Sequence, residues 1–413
     1  MCPFRAPIPF FMCCNHANGL VLANDGLATW ENDAVQVWHF CASPVDPEAE
    51  TGGVSNVVRA LALETARIGI STTVVCGAHE LGKMTASPGD RGHGPNLRVV
   101  TVRADRPLEL LVGIDRLIRS IPVDAAIHVH AGFSVFADFA MMRLRKHNRR
   151  YVYTPHGKLS PGMMRRRQWL KMSWLTLIGR ANIAGAAHIV VGSEGECGLF
   201  ARIGLKGPVT VISNGFERPD RPLQADPPLI PGPYLLFLGR IEPRKQPALL
   251  LQAFAASRAR HTVKLAFVGP DQDGHRQTLE ALGHELGVSD QILFNGPAYR
   301  GEKWNILDNA LALVLPSAGE GMPIVLVEAA GAGVPTLSSV DCNARLLVAA
   351  GASLEVVGFD LPVWTRALDQ IVEDVALHET MAAAAREVAA TLTWTALTRS
   401  WMTVYEDLLE PTA

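Results

Sequence analysis

The sequence predicts an α/β protein built as two parallel-sheet domains. Three observations predict it. Short apolar runs alternate with helix-period stretches, the order of successive βαβ units. That order breaks at residues 217–233, which hold six prolines, and then starts afresh. The 413-residue chain is also too long for one ordinary core. A hydrophobic content of 48%, with 19% charged residues and a net charge of −2, describes a globular protein and not a disordered one. Seven cysteines, an odd number with no Cys-x-x-Cys pair, argue against a disulfide framework or a structural zinc site and fit a reducing cytoplasm.

No apolar run reaches the roughly eighteen residues of a membrane-spanning helix. Arg5 and the run from Ile8 to Cys14 superficially resemble a signal sequence. Prolines interrupt that run, and Asn15-His16 follows where small cleavage-site residues would stand. Residues 1–34 are expected to form an irregular N-terminal extension.

The first strand is expected at Val35–Phe40. A loop through Thr51-Gly52-Gly53 then opens a helix with Val54, Val57, Val58, Leu61, Thr65 and Ile68 on one face. Thr73–Cys76 completes a βαβ unit. Paired glycines at a helix start let a phosphate approach the backbone, since no Cβ intervenes. Strands are expected at Val99–Val102, Ala126–Val129, Tyr151–Tyr153, Ile189–Ser193 and Val209–Ile212. Ligands gather at the carboxyl ends of such strands, which singles out His130 and His156. The second half restarts with a strand at Tyr234–Leu238, a basic loop from Gly239 to Lys245 and a helix at Ala248–Ala256. Strands at Val263–Val268 and Gln291–Phe294 and helices near 276–286 and 302–309 follow. The strand Ala310–Leu315 then turns through Ser317–Gly321 into a helix near Pro323, a residue suited to a first helical turn. Residues 361–409 are expected to be mainly helical. Two such halves predict a ligand cleft between them.

Glu320 in the turn and Glu328 in the helix offer acceptors for hydroxyls beside a helix N-terminus that favours anions. Arg240 offers a planar fork for phosphate oxygens and Lys245 a mobile point charge, together suited to a diphosphate leaving group.

Taken together, Gly52-Gly53, Thr154-Pro-His156-Gly157, Val191-Gly-Ser193-Glu194, Val211-Ile-Ser-Asn214-Gly215, Gly239-Arg240 with Lys245, and Glu320 to Glu328 with the following Gly-x-Pro resemble the family 4 retaining glycosyltransferases of GT-B fold. The motifs run from Thr51 to Pro335 in the family's order and spacing. The resemblance implies two Rossmann-like domains facing each other across a cleft: an acceptor-side domain at 35–216, a linker at 217–233 and a nucleotide-sugar domain at 234–390. A last helix within 391–413 would pack back toward the first domain. It implies that Arg240 and Lys245 clamp the donor diphosphate and that Glu328 takes ribose hydroxyls. Glu320, with the backbone of Gly321 and Met322 ahead of Pro323, would meet the transferred sugar. Gly52 and Gly53 would lie near the diphosphate and His156 beside the reacting centre. No cofactor and no metal are implied, the donor being a UDP- or GDP-hexose. Two departures stand out: Gln246 occupies the place of a glycine commonly found after the lysine, and Ser339-Val-Asp341-Cys-Asn343-Ala replaces a glycine-rich loop.

Residues 139–193 hold eleven lysines and arginines and no Asp or Glu. Within them Arg165, Arg166, Arg167, Trp169, Lys171 and Trp174 mix cations with aromatics, the composition of a helix lying on an anionic bilayer. No nucleic-acid recognition module is visible. This stretch resembles bacterial exopolysaccharide and lipopolysaccharide glycosyltransferases. Together with His130, it is expected to face the acceptor, a saccharide or lipid-linked saccharide, at the inner face of the cytoplasmic membrane.

Overall fold

The computed structural model describes residues 20–22, 28–30, 35–43, 45, 52–77, 90–92, 96–102, 107–130, 132–160, 164, 168–202, 205, 207–218 and 227–410. Most of the expected N-terminal extension, Thr51, part of the proline-rich linker and the Arg165–Arg167 cluster lie outside the described residues.

Strands β1 (Leu20–Leu22) and β2 (Ala28–Trp30) pair antiparallel. The first large sheet contains β3 (Gln36–Cys41), β4 (Ser71–Gly77), β5 (Asp90–Gly92) and β6 (Leu97–Val102). It continues with β7 (Ala126–His130), β8 (Val152–Thr154), β9 (His188–Val191) and β10 (Val209–Val211). The spatial order is β10-β9-β8-β7-β3-β4-β6-β5, parallel throughout except for β5. The second sheet comprises β11 (Tyr234–Leu238), β12 (Lys264–Val268), β13 (Ile292–Asn295), β14 (Ala312–Leu315), β15 (Thr336–Ser339) and β16 (Ser353–Val356). Its order is β13-β12-β11-β14-β15-β16, all parallel.

The two parallel-sheet halves read from the sequence are therefore borne out. In both sheets the strand order reverses beside the first strand, between β3 and β7 and between β11 and β14. Such switch points open a crevice at the carboxyl ends of the strands. Strand β11 is buried at all five positions because helices cover both faces of its sheet, which is why it reads as an unbroken apolar run. The helix Gly53–Arg67 buries Val57, Val58, Leu61 and Thr65, four of the six positions expected on its inner face.

The last helix, Trp394–Leu409, leaves the second domain and lies on the first. Trp394, Trp401 and Tyr405 share a core there with Val37, Ala126 and Val152. A bridge between Phe216 and Thr393 ties the two crossing points together.

Several elements differ from expectation. β15, β16 and the helices Pro107–Ser120 and Val135–Lys146 are elements beyond those expected from the sequence. Pro323 precedes the helix Ile324–Gly331 instead of sitting in its first turn. The basic aromatic stretch is a short helix, Gln168–Trp174, followed by a π-helical turn, Leu175–Gly179. Gly179 permits the turn to pack: a methyl there would lie 2.3 Å from the Trp174 ring. Among the described residues, no helix is long and apolar enough to cross a membrane.

Candidate active site

The second domain contributes its carboxylates and cations from the β11/β14 switch point. After β11 the chain turns at Gly239 (φ 140) into the basic loop, where Pro243–Lys245 form one 3-10 turn. The turn aims Lys245 back along Gly239, so its Nζ meets Glu320 Oε1 at 3.0 Å. Arg244 reaches the same oxygen at 2.8 Å, and the Ser317 hydroxyl donates to it at 2.9 Å. Burial pushes the Glu320 carboxyl up, but Lys245 and Arg244 outweigh it and hold the group below the usual carboxylate range. Glu320 is thus a fixed anion.

Arg240 is 60% exposed, and its ion pair with Glu242 is a loose 3.9 Å. Its fork is therefore available to a ligand. Glu328 is buried against Lys303 Nζ at 2.8 Å, an ion pair with both side chains under 10% exposed. A pair so enclosed fixes the orientation of its carboxylate, since separating the partners would leave an uncompensated buried charge.

The loop that replaces the glycine-rich segment supports Glu320. Asn343, itself left-handed at φ 54, donates from Nδ2 to the Glu320 carbonyl at 2.7 Å, and the Glu320 amide donates to the Asp341 carbonyl at 2.9 Å.

The two domains meet at Gly321 and Met322. Ser193 Oγ donates to the Gly321 carbonyl at 3.0 Å, and Asn214 Nδ2 donates to the Met322 carbonyl at 2.6 Å. A methyl on Gly157 (φ 72) would lie 2.5 Å from the Gly321 nitrogen, so glycine is required for that approach. His156, left-handed at φ 51, is thereby brought beside Gly321. Glu196 is buried at the same contact. Its Oε2 accepts from the Gly192 amide at 3.0 Å, and burial pushes the carboxyl up against the lowering by the Gly192 and Gly157 backbone. Gly52 and Gly53 are exposed, and among the described residues no atom lies within 4 Å of where a Cβ would stand. None of those residues demands glycine there.

Two expectations about the acceptor side are corrected. His130 is fully buried at the end of β7 and faces neither acceptor nor membrane. Its neighbours are histidines, since adjacent parallel strands stack their ends. Trp174 is half-buried, with its indole N–H donating to Asp138 Oδ2 at 2.6 Å and its ring 4.5 Å from that of Phe133. Trp169 stays 71% exposed, and Lys171 lies over the Phe133 ring.

Sequence reasoning passed over His39, Glu196, Arg244, Lys303 and Asn343. Arg244 lay within the basic loop already singled out. Glu196 stands three residues after Ser193, the spacing of a capping box. His39 interrupts an apolar strand. Asn343 lay within the segment noted for replacing a glycine-rich loop, and Lys303 carries no comparable local signal.

Two facing α/β domains, with cations and carboxylates at one switch point and histidines at the other, define the architecture of a two-domain sugar-nucleotide enzyme. A family model described as glycosyltransferase family 4 matches residues 51–218, and one described as glycosyl transferases group 1 matches residues 224–388. The chain belongs to the family 4 glycosyltransferases of GT-B fold. It is similar to a D-inositol 3-phosphate glycosyltransferase of Frankia alni, 32% identical over 250 residues. That match covers 56% of this chain and 61% of the relative, less than two thirds of its length. Among solved structures, sucrose-phosphate synthase of Thermosynechococcus elongatus superposes with a TM-score of 0.75 at 20% identity, covering 90% of this chain and 99% of that one. WaaG, a glycosyltransferase involved in lipopolysaccharide biosynthesis, superposes with a TM-score of 0.65 at 18% identity, covering 89% and 99%.

Proposed function

We propose that the protein is a retaining, metal-independent hexosyltransferase that moves a sugar from a UDP- or GDP-hexose to a saccharide in exopolysaccharide or other cell-surface polysaccharide synthesis. The observation that carries this reading is the Lys245–Glu320–Arg244 cluster between the ends of β11 and β14, with the exposed Arg240 beside it. Breaking the bond between the anomeric carbon and phosphate places negative charge on the departing diphosphate. Arg240 and Lys245 stabilise that charge in place of a metal ion, while the exposed Gly52 and Gly53 leave the phosphates room to approach.

Glu320 accepts hydroxyls of the transferred sugar, and the backbone amides of Gly321 and Met322 face them. Glu328, its carboxylate fixed by Lys303, accepts the ribose hydroxyls. No carboxylate is assigned as a nucleophile. The acceptor hydroxyl attacks from the face the diphosphate leaves, and a phosphate oxygen takes its proton. One carbon–oxygen bond forms as the other breaks, and configuration is retained.

An apolar surface of Trp169, Leu170, Met172, Leu177 and Ile178, all exposed on the short helix and its π turn, favours an acceptor presented at a membrane. On this reading the enzyme is a cytoplasmic peripheral protein using a lipid-linked saccharide. The similarity to a D-inositol 3-phosphate glycosyltransferase supports a second reading, a soluble phosphorylated polyol as acceptor.

Thermal-shift measurements against UDP, GDP and their hexoses test the donor site. One nucleotide and one of its sugars are expected to raise the melting temperature. Arg240→Ala is expected to lose that shift and to lower transfer by about 10²–10³-fold. Silence from every nucleotide, or near-normal transfer by Arg240→Ala, refutes the clamp.

A further inference from the structure

Four histidines converge at the carboxyl ends of β3, β7 and β8, and the proposed chemistry gives a role to none of them. His39 and His130 are fully buried; His156 alone is partly exposed, beside Gly321 of the other domain. They form a line of hydrogen bonds. His39 Nδ1 lies 2.9 Å from His130 Nε2, and His130 Nδ1 lies 3.0 Å from His156 Nε2. Such a line has a direction, because a neutral imidazole carries one N–H and one bare nitrogen. Either every proton sits on Nδ1 and each ring donates toward His156, or every proton sits on Nε2 and each donates toward His39.

The far end decides between the two. Among the described residues, His39 Nε2 is buried without a hydrogen-bond partner. An orphaned buried N–H is rarer than an under-satisfied acceptor and loses the full hydration of the donor. His39 Nε2 is therefore the bare nitrogen, and its proton is on Nδ1. The proton of His130 must then be on Nδ1 also, and so must that of His156. At the near end no hydrogen bond joins His156 Nδ1 to another of the described residues, so that nitrogen does not set the direction.

His128 stands beside the line and does not join it. Its ring nitrogens pair with the Tyr405 hydroxyl at 3.0 Å and the Thr154 hydroxyl at 2.8 Å, and its ring lies 3.8 Å from that of His130, tilted by 36°. One nitrogen from each of His39, His128 and His130 lies within 4.8 Å of the other two. With both nitrogens of His128 taken by hydroxyls, the trio acts as a hydrogen-bonded network and not as a ligand set. Burial keeps all four rings neutral, with His39 and His156 lowered to about 3.

We propose that His39 and His130 are positioning residues that lock His156 in its Nδ1–H tautomer, so that it presents an uncharged hydrogen-bond donor to an oxygen of the substrate in the cleft. The consequence for catalysis rests on the sugar-transfer reading; the tautomer itself does not.

Nitrogen-15 NMR of the full-length protein, labelled at histidine only, reads the tautomer without any substrate. The signals are assigned with His39→Gln, His130→Gln and His156→Gln. Between pH 7 and 8, His39, His130 and His156 are expected to carry their protons on Nδ1 alone. A proton on Nε2 in any of the three, a mixed tautomer at His156, or stoichiometric zinc in the purified protein would overturn the proposal.

His39→Asn keeps an amide N–H where Nδ1–H stood and is expected to preserve the His156 signature. His39→Leu removes the donor and is expected to mix the His156 tautomers. With UDP-glucose or GDP-mannose, whichever the thermal-shift screen selects, His39→Leu should lower kcat roughly tenfold, the worth of one hydrogen bond, with KM little changed. Rescue of kcat by His39→Asn separates a directional role from mere packing, and an equal loss in both variants argues against it. If His39→Leu fails to fold, the wild-type spectrum still decides. If no sugar is transferred at all, the tautomer result stands apart from that failure.

Discussion

Protonation at the buried histidines ties stability to pH. Their folded-state values lie below the ordinary imidazole value of 6.5, with His39 and His156 near 3. His128 and His130 are also lowered well below it. Above pH 6.5 both states are neutral and nothing is gained or lost. Below it the unfolded chain takes up protons the folded chain refuses, so stability falls as pH drops toward 3. Each ring contributes up to about 1.4 kcal/mol per pH unit in that window. Glu196, Asp138, Asp308 and Glu406, all pushed up by burial, work in the opposite direction as pH falls, but an ordinary carboxyl titrates below an ordinary imidazole. Guanidinium denaturation at pH 7.5, 6 and 5 should show a steep loss of unfolding free energy before most carboxylates titrate. A flat profile across that range would show that the rings protonate freely in the native state.

Among the elements, the 3-10 turn after β11 carries the clearest local conflict. Gln246 sits at φ 53 and ψ 42, between the Pro243–Lys245 turn and the helix Pro247–Ala256. Glycine occupies such a left-handed position without strain, whereas a residue with a Cβ costs on the order of 1 kcal/mol. The departure noticed in the sequence is thus a departure in side chain and not in backbone path. Gln246→Gly is expected to keep the Lys245–Glu320 contact and leave activity unchanged. It should raise the melting temperature by a degree or two, less than the strain alone suggests because glycine also loosens the unfolded chain. A fall of several degrees, measured by calorimetry, would mean that Gln246 makes a contribution its backbone angles do not reveal. Asn343 solves the same problem differently, since asparagine tolerates the left-handed region and its amide also holds the Glu320 carbonyl.

Across the whole molecule, the surface around Trp169 and Leu177 sets the acceptor question. Both side chains are more than 70% exposed, on a domain whose stretch 139–193 holds no acid. Vesicles containing anionic lipid should float the protein at low salt, and salt should weaken the binding as charges are screened. Replacing Trp169 and Leu177 with serine should lower binding about tenfold or more through lost apolar burial. Absence of flotation at low salt would favour the soluble acceptor.

Much of this architecture was legible beforehand, because alternation of apolar runs with helical periodicity is a local property. Strands β11 and β12 came within a residue of their observed bounds for that reason. The order of the motifs also lay in the chain itself, and with it the family. What the sequence could not hold is which distant side chains share a partner. Glu320 is gripped by Lys245 from 75 residues away, and His39 meets His130 across 91 residues. Those meetings depend on which strands lie side by side and on which face each ring points to. The same holds for Trp174, turned inward by Asp138, and for His130, enclosed by its neighbours instead of facing a ligand. Local preference fixed the elements and their order; strand adjacency and burial, which exist only in the folded chain, decided which groups are charged, which are oriented and which face the cleft.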